Sequence, residues 1–393
     1  MTGRFRQAER LESLPPYIFS EINAIKTEAQ KRGAKLVSLA IGDPDQPTPR
    51  ELVEKIVDAV RKPVNHAYSP YEGTLSLRRA ISTWFTKRFG VALDPEREVL
   101  ALIGSKEGIA HFPVAFCDPG DRCIFPSPGY PIFSSSIALA GGVPVPLPLL
   151  PKDGYLPDPN RLEDLLKEHR PRYCLLNFPS NPTSALCPVE RLVDIVVLAR
   201  SHGTILLYDN AYSEIYFDPA KRPPSILEVP GAKEVALELH SFSKTFNMTG
   251  WRLGFAVGNP DLVAGLLRAK TNIDSGPLLA VQEAAEFALE RADEFCNPLR
   301  ALYARRRAIA TAGLRDAGIE YFSPDATFFI WARVPGGGSS MQLTRDLIER
   351  EGLVVTPGVG FGEQGEGFFR LALTVEDAVL EDAMARLRRF TQR

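Results

Sequence analysis

From about residue 95 onward, short apolar runs in this chain keep ending in polar turns rich in reactive side chains. Val99 to Ile103 runs into Gly104-Ser105-Lys106-Glu107-Gly108, and Cys123 to Phe125 into Pro126-Ser127-Pro128-Gly129-Tyr130. Tyr173 to Leu176 ends in Asn177-Phe178-Pro179-Ser180-Asn181-Pro182-Thr183, and Ile205 to Tyr208 in Asp209-Asn210-Ala211-Tyr212. Helical stretches separate them. Runs without polar alternation belong in a parallel sheet with helices on both faces. In such a sheet ligands bind outside the carboxyl ends of the strands, where these turns would gather. The expected fold is therefore α/β, with a mostly parallel, doubly wound sheet.

One more stretch joins that edge, Ser241-Phe242-Ser243-Lys244-Thr245 and on to Trp251-Arg252-Leu253-Gly254. Val235 to Leu239 leads in and Leu253 to Val257 leads out, so the reading is strand, loop, strand. Lys244 and Arg252 repel one another unless an anion lies between them. Hydroxyls, a guanidinium and backbone amides make a cradle for a phosphate dianion. The passage from strand through Gly104-Ser105 into a helix start offers free amides to the same kind of group. A lysine desolvated beside such a cradle can lose its proton and form an imine with an aldehyde. Phosphate and aldehyde on one small molecule describe pyridoxal 5′-phosphate. Taken alone, Ser-x-Ser-Lys fits a solvated loop better, because short motifs often match by chance. The recurrence of polar strand ends moves that balance.

Composition narrows the class. With 393 residues the chain exceeds a usual single core, so two domains are expected. A hydrophobic fraction of 45%, a charged fraction of 24% and a net charge of −2 suit a soluble globular protein. No basic stretch with interleaved aromatics points to nucleic acid, no apolar run has the length of a membrane span, and the first residues carry no apolar signal core. The five cysteines (Cys117, Cys123, Cys174, Cys187, Cys296) are odd in number and lack Cys-x-x-Cys pairing, which fits a reducing cytoplasm. The five histidines show no ligand spacing, so no metal site is expected.

The flanks complete the layout. Residues 1–35 read as an N-terminal arm and helix, interrupted at Pro15-Pro16 before Tyr17. Leu36 to Ile41 reads as a short strand ending at Gly42-Asp43-Pro44-Asp45, a turn where a ligand can approach the backbone. Tyr68-Ser69-Pro70-Tyr71-Glu72-Gly73 reads as a rigid aromatic turn between helices. In the C-terminal part the pattern shifts to long helices near 282–291 and 298–317, strands at 328–334, 354–356 and 368–373, and a closing helix at 376–389. That is a smaller α+β domain. The expected division is 1–48 as arm and part of the small domain, 49–285 as the large domain, and 286–393 as the rest of the small domain.

With these motifs in order from Gly42 to Arg370, the chain resembles a class I aminotransferase of the fold-type I pyridoxal-phosphate superfamily, the aspartate aminotransferase fold. The resemblance implies roles at matching positions. Lys244 would bind the cofactor and then act as acid and base. Asp209 would pair with the pyridine nitrogen so that the ring accepts electrons. Tyr212 and Asn181 would bond the ring hydroxyl, and Tyr130 would stack on the ring. Ser105, Lys106, Ser241, Ser243 and Arg252 would hold the phosphate. Tyr68 would reach the phosphate in a neighbouring subunit, which implies a homodimer with shared active sites. Arg370 would clamp the substrate α-carboxylate, with Gly42 and Asn181 closing round it.

Departures bear on substrate. The glycine usual after Asn-Pro-Thr is Ser184 here, and the second arginine of aspartate-specific members finds no match. Lys270-Thr271-Asn272-Ile273-Asp274-Ser275-Gly276, with Asn247-Met248-Thr249-Gly250-Trp251-Arg252, is similar to the LL-diaminopimelate aminotransferase branch, which passes the amino group to 2-oxoglutarate. By charge alone, Glu72 or Asp274 would suit a distal ammonium. Aspartate, alanine or aromatic donors are the alternative, and a lyase or decarboxylase on the same scaffold is a further reaction class. A non-catalytic protein retaining the scaffold fits poorly with a full set of Lys244, Asp209 and Arg252.

Overall fold

The computed structural model of the protein describes residues 6–12, 14 and 18–392. Its strands, in chain order, are β1 (Val37–Ser38), β2 (Val99–Leu102), β3 (Arg122–Ser127), β4 (Val143–Pro148), β5 (Tyr173–Asn177), β6 (Ile205–Asp209), β7 (Ala236–Ser241) and β8 (Gly254–Gly258). They continue as β9 (Tyr321–Phe322), β10 (Phe329–Arg333), β11 (Leu353–Val354), β12 (Thr356–Pro357) and β13 (Phe368–Ala372). Seven of them form one sheet in the order β2-β8-β7-β6-β5-β3-β4. Every pairing from β7 to β4 is parallel, and β8 runs antiparallel to both neighbours. Every residue of β2, β5, β7 and β8 is buried, which is why their sequences do not alternate.

Helices cover both faces. On one, Leu77 and Ile81, Leu192 and Ile195, and Ala285 pack over Leu176, Tyr208 and Phe255. On the other, Ile109 and Phe112, Phe133 and Ile137, and Leu262 and Leu266 pack over Leu100, Leu175 and Leu237. Each buried Leu, Ile or Phe contributes about 1.5–3 kcal/mol relative to exposure. The mostly parallel, doubly wound sheet is the fold expected from the sequence.

Strand β4 is an addition to that reading. Its sequence, Val143-Pro144-Val145-Pro146-Leu147-Pro148, lacks three backbone donors, and proline argues against a central strand. The structure resolves the conflict by placing β4 at the sheet edge, paired with β3 alone.

The remaining strands draw the chain ends together. β1 pairs in parallel with β11, and β12-β13-β10-β9 form an antiparallel sheet. The expected strand 354–356 is two strands, because the chain passes at Val355 from the partner of β1 to the partner of β13. The helix expected from Pro298 begins earlier and spans Ala292–Asp316 with Pro298 inside it. Buried Phe295, Cys296 and Leu299 anchor it around the missing donor. It packs on the closing helix Asp377–Thr391. Helix Ile18–Lys31 buries Ile22, Ile25 and Ala29 against Ile348 and Val354. The expected break at Pro15-Pro16 and Tyr17 lies outside the described residues. Among the described residues, no helix is long and apolar enough to cross a membrane.

Candidate active site

A cavity of about 520 Å³ opens at the carboxyl ends of β5, β6 and β7. It is walled on the other side by Gly42, Phe329 and Arg370 from the smaller sheet region. The volume suits a small ligand of cofactor-plus-substrate size.

Lys244 sits in a single helical turn, Phe242–Thr245, rather than a plain loop. Ser241 caps that turn by accepting from the Ser243 amide at 3.2 Å. The Lys244 amine donates to the Gly42 carbonyl at 3.3 Å, tying the two sides of the cavity together. Burial lowers its pKa from 10.5 to about 8; Asp43 opposes the shift, and the charges of Arg252 and Arg370 reinforce it. The amine is therefore partly unprotonated near neutral pH.

Behind Lys244 lies a basic, amide-lined recess. Helix Ser105–Phe116 starts there, preceded by Gly104 at φ 111°. A Cβ on Gly104 would stand 2.3 Å from Arg252 Nη2, so only glycine lets the guanidinium lie against the helix start. Gly254 has the same constraint, with a Cβ 2.7 Å from the Ser105 amide. Arg252 itself adopts φ 54° and donates from Nη1 to Thr249 O at 2.9 Å. Ser105, Ser241, Ser243 and Arg252 all face this recess. The donor set is that of a phosphate site.

At the floor, Asp209 ends β6 directly beside Asn177, which ends β5. Asn177 Nδ2 donates to Asp209 Oδ2 at 3.2 Å and to its carbonyl at 3.0 Å. Asp209 Oδ1 is buried with no partner. Burial pushes the carboxyl up from 3.8 to about 7, partly opposed by the Ala211 amide. An orphaned buried carboxylate oxygen facing a cavity calls for a cationic N–H donor.

A hydrogen-bonded chain leads from there to the opposite wall. Asn177 Oδ1 accepts from the Asn181 amide at 2.9 Å, and Asn181 Oδ1 accepts from Arg370 Nη1 at 2.7 Å. Arg370 Nη2 donates to Ala40 O at 2.8 Å, while its Nε is buried without a partner. The guanidinium lies 4.2 Å from the Phe329 ring centre and 4.8 Å from that of Phe361. Burial lowers its pKa to about 10. Gly42 is glycine for room, since a Cβ would stand 2.5 Å from the Phe329 ring.

The aromatic side chains close the space. Tyr212 is buried edge-on against Phe328 and Phe329, which pushes its hydroxyl pKa up by desolvation. Tyr130 lines the same cavity, and the Lys106 amine stands 6.0 Å from its ring centre. Ser184 holds φ 62°, the conformation glycine would take, and is anchored there by bonds to Thr327 Oγ1 (2.6 Å) and Phe329 O (2.8 Å).

The structure thus gathers Gly42, Ser105, Lys106, Tyr130, Asn181, Asp209, Tyr212, Ser241, Ser243, Lys244, Arg252 and Arg370 around one cavity. Tyr68 is not among its lining; it is 92% exposed. Sequence reasoning missed the link made by Asn177, although it named the turn, and missed Ile22, Asn23 and Lys26 of the N-terminal helix as wall residues. A hydrophobic stripe with Lys26 beside it was the available signal.

Comparison with known proteins gives the family. The family model for aminotransferase class I and II matches residues 34–387. The chain is 49% identical over 387 residues to an LL-diaminopimelate aminotransferase of Nitratidesulfovibrio vulgaris (strain DP4), covering 98% of each. It is 46% identical over 385 residues to an LL-diaminopimelate aminotransferase of Aquifex aeolicus (strain VF5), covering 98% of this chain and 99% of the relative. A single-mutant aspartate aminotransferase of Thermus thermophilus superposes with a TM-score of 0.92 at 28% identity, covering 98% of this chain and 99% of that one. A lysine in a desolvated turn, an orphaned carboxylate and a buried arginine around one cavity, found in a chain with these relatives, place the protein in the class I and II aminotransferases.

Proposed function

We propose that this aminotransferase holds pyridoxal 5′-phosphate in the cavity and moves an amino group from LL-diaminopimelate to 2-oxoglutarate in two half-reactions. The recess of Ser105, Ser241, Ser243 and Arg252 would take the phosphate, with Lys106 at its rim. Asp209 Oδ1, held in place by Asn177, would accept the N–H of a protonated pyridine, while Tyr130 covers the ring and Tyr212 with Asn181 Nδ2 meets its hydroxyl. Once bound, this cofactor supplies an aldehyde carbon for an amine and a ring that takes up the electron pair left at the α-carbon. Arg370 would bind the α-carboxylate of either substrate and, for the amino donor, turn the α-hydrogen toward Lys244. The Lys244 amine removes that proton, a task its lowered pKa suits. Phe329 and Phe361 keep water from the carboxylate contact, which strengthens it.

The observation that carries the donor assignment is the make-up of the cavity wall. Among its described lining residues, Arg252 and Arg370 are the two arginines, and both already have work. Apart from Lys244, the remaining cations, Lys26 and Lys106, are point charges rather than a fork shaped for a second carboxylate. A distal amino acid head brings an ammonium that Asp43 on the same wall can meet and a carboxylate for the lysines, whereas a bare distal carboxylate has no planar partner. The names of the relatives support the same donor. In this reading the enzyme is a cytoplasmic homodimer in which Tyr68 of the partner subunit completes the phosphate site. In the same reading the chain divides at 48 and 285, the second boundary falling within helix Leu279–Glu290.

The test is one comparison of donors with 2-oxoglutarate as acceptor. LL-Diaminopimelate should exceed aspartate in kcat/KM by about tenfold or more, the effect of about 1.4 kcal/mol in transition-state binding. A win for aspartate would mean that the wall lysines act as a carboxylate clamp, and the aspartate, alanine or aromatic reading would replace this one.

A further inference from the structure

Away from the cavity, at the opposite edge of the sheet, Cys117 caps the carboxyl end of helix Ser105–Phe116 and Cys123 lies in β3. Their sulfurs stand 3.0 Å apart, closer than ordinary sulfur contact. A disulfide needs about 2.05 Å, so a closure of about 1 Å joins them. We propose that Cys117 and Cys123 form a dithiol site that small-molecule disulfides convert to an intramolecular disulfide.

The roles of the two sulfurs follow from their surroundings. Cys117 is partly exposed beside the exposed turn Asp118-Pro119-Gly120, so an oxidant reaches it first. Cys123 is fully buried, and the Cys117 sulfur beside it holds its proton on. Cys117 is therefore the sulfur that meets the small disulfide and attacks it. Its thiolate displaces one thiolate from the small disulfide and leaves a mixed disulfide on Cys117. Cys123 then attacks Cys117 Sγ, gives up its proton to the departing thiolate, and releases the second small thiol. The protein loses two electrons and two protons, and the small disulfide gains both. The other three thiols stay out of this chemistry. Cys174, Cys187 and Cys296 are each about 1% exposed, and burial raises the pKa of each.

The experiment uses the cofactor-loaded enzyme with oxidised glutathione. The expected product carries no glutathione, has lost the mass of two hydrogens, yields a peptide linking Cys117 to Cys123, and reverts with dithiothreitol. Cys123→Ser should stop at a stable glutathione adduct on Cys117, and Cys117→Ser should take up none under native conditions. An adduct that persists on Cys117 in the unsubstituted enzyme, or both sulfurs recovered as free thiols, would overturn the proposal. So would equal labelling of Cys174, Cys187 or Cys296 in the folded protein.

Discussion

The guanidinium of Arg370 is held from two sides before any substrate arrives, by Asn181 Oδ1 at 2.7 Å and Ala40 O at 2.8 Å. Its Nε remains unpartnered and its ring neighbours exclude water. A planar fork fixed in this way loses little entropy on binding a carboxylate, and a lysine cannot reproduce it. Arg370→Lys should therefore raise KM for every amino donor by at least about tenfold, roughly 1.4 kcal/mol, whatever the side chain. Steady-state kinetics with several donors checks this; a loss confined to one donor would place Arg370 at the distal end instead.

The lowered pKa of Lys244 makes a kinetic prediction. In the cofactor-free enzyme, capture of pyridoxal 5′-phosphate should accelerate with pH, with its half-rise near 8 instead of 10.5. Removing a neighbouring positive charge with Arg370→Gln should move that half-rise upward. Absorbance-monitored mixing across pH measures both. Borohydride treatment of the loaded enzyme should then fix the cofactor on Lys244, and Lys244→Ala should lose nearly all turnover; a label on another lysine refutes the assignment.

Asp209 should trade stability for chemistry. Its folded pKa, about 7, lies above the 3.8 of an exposed carboxyl. Its contribution to stability is thus fully present below pH 3.8 and is lost as the pH rises through about 7. Asp209→Asn does not ionise, so without cofactor it should be the more stable form near neutral pH and above, by up to about 4 kcal/mol. The gap should widen from acid to mildly alkaline pH in denaturant titrations. With cofactor, the same variant should lose at least about a hundredfold in turnover. Near-normal turnover would reduce Asp209 to a structural cap.

Tyr68 gives a test of assembly. If it completes a neighbour's phosphate site, mixing Tyr68→Phe chains with Lys244→Ala chains builds one site carrying both lesions and one carrying neither. Activity after subunit exchange should exceed the average of the two parents. Activity that stays at that average, with exchange proven, excludes a shared site.

How much of this was legible depended on where each residue stands. Asp209 closes a strand, and Lys244 and Ser105 each follow one, so an apolar run announces them and the sheet collects them. Arg370 lies within β13, and its role came through resemblance rather than pattern. Asn177 gave no sign of its task, because its bond to Asp209 depends on the register of β5 with β6. β4 was hidden by its prolines, which only an edge position tolerates. Lys26 reaches the cavity because Ile25 and Ala29 seat its helix against Ile348, a contact between chain ends that no local window contains.

The pairing of β1 with β11 also sets an order of events during synthesis. The seven-stranded sheet and its phosphate recess are complete in sequence once β8 has left the ribosome. β1, made much earlier, must wait for Leu353 and Val354 to emerge before it has a partner. A growing chain therefore owns its anion recess well before Arg370 exists to stand opposite it.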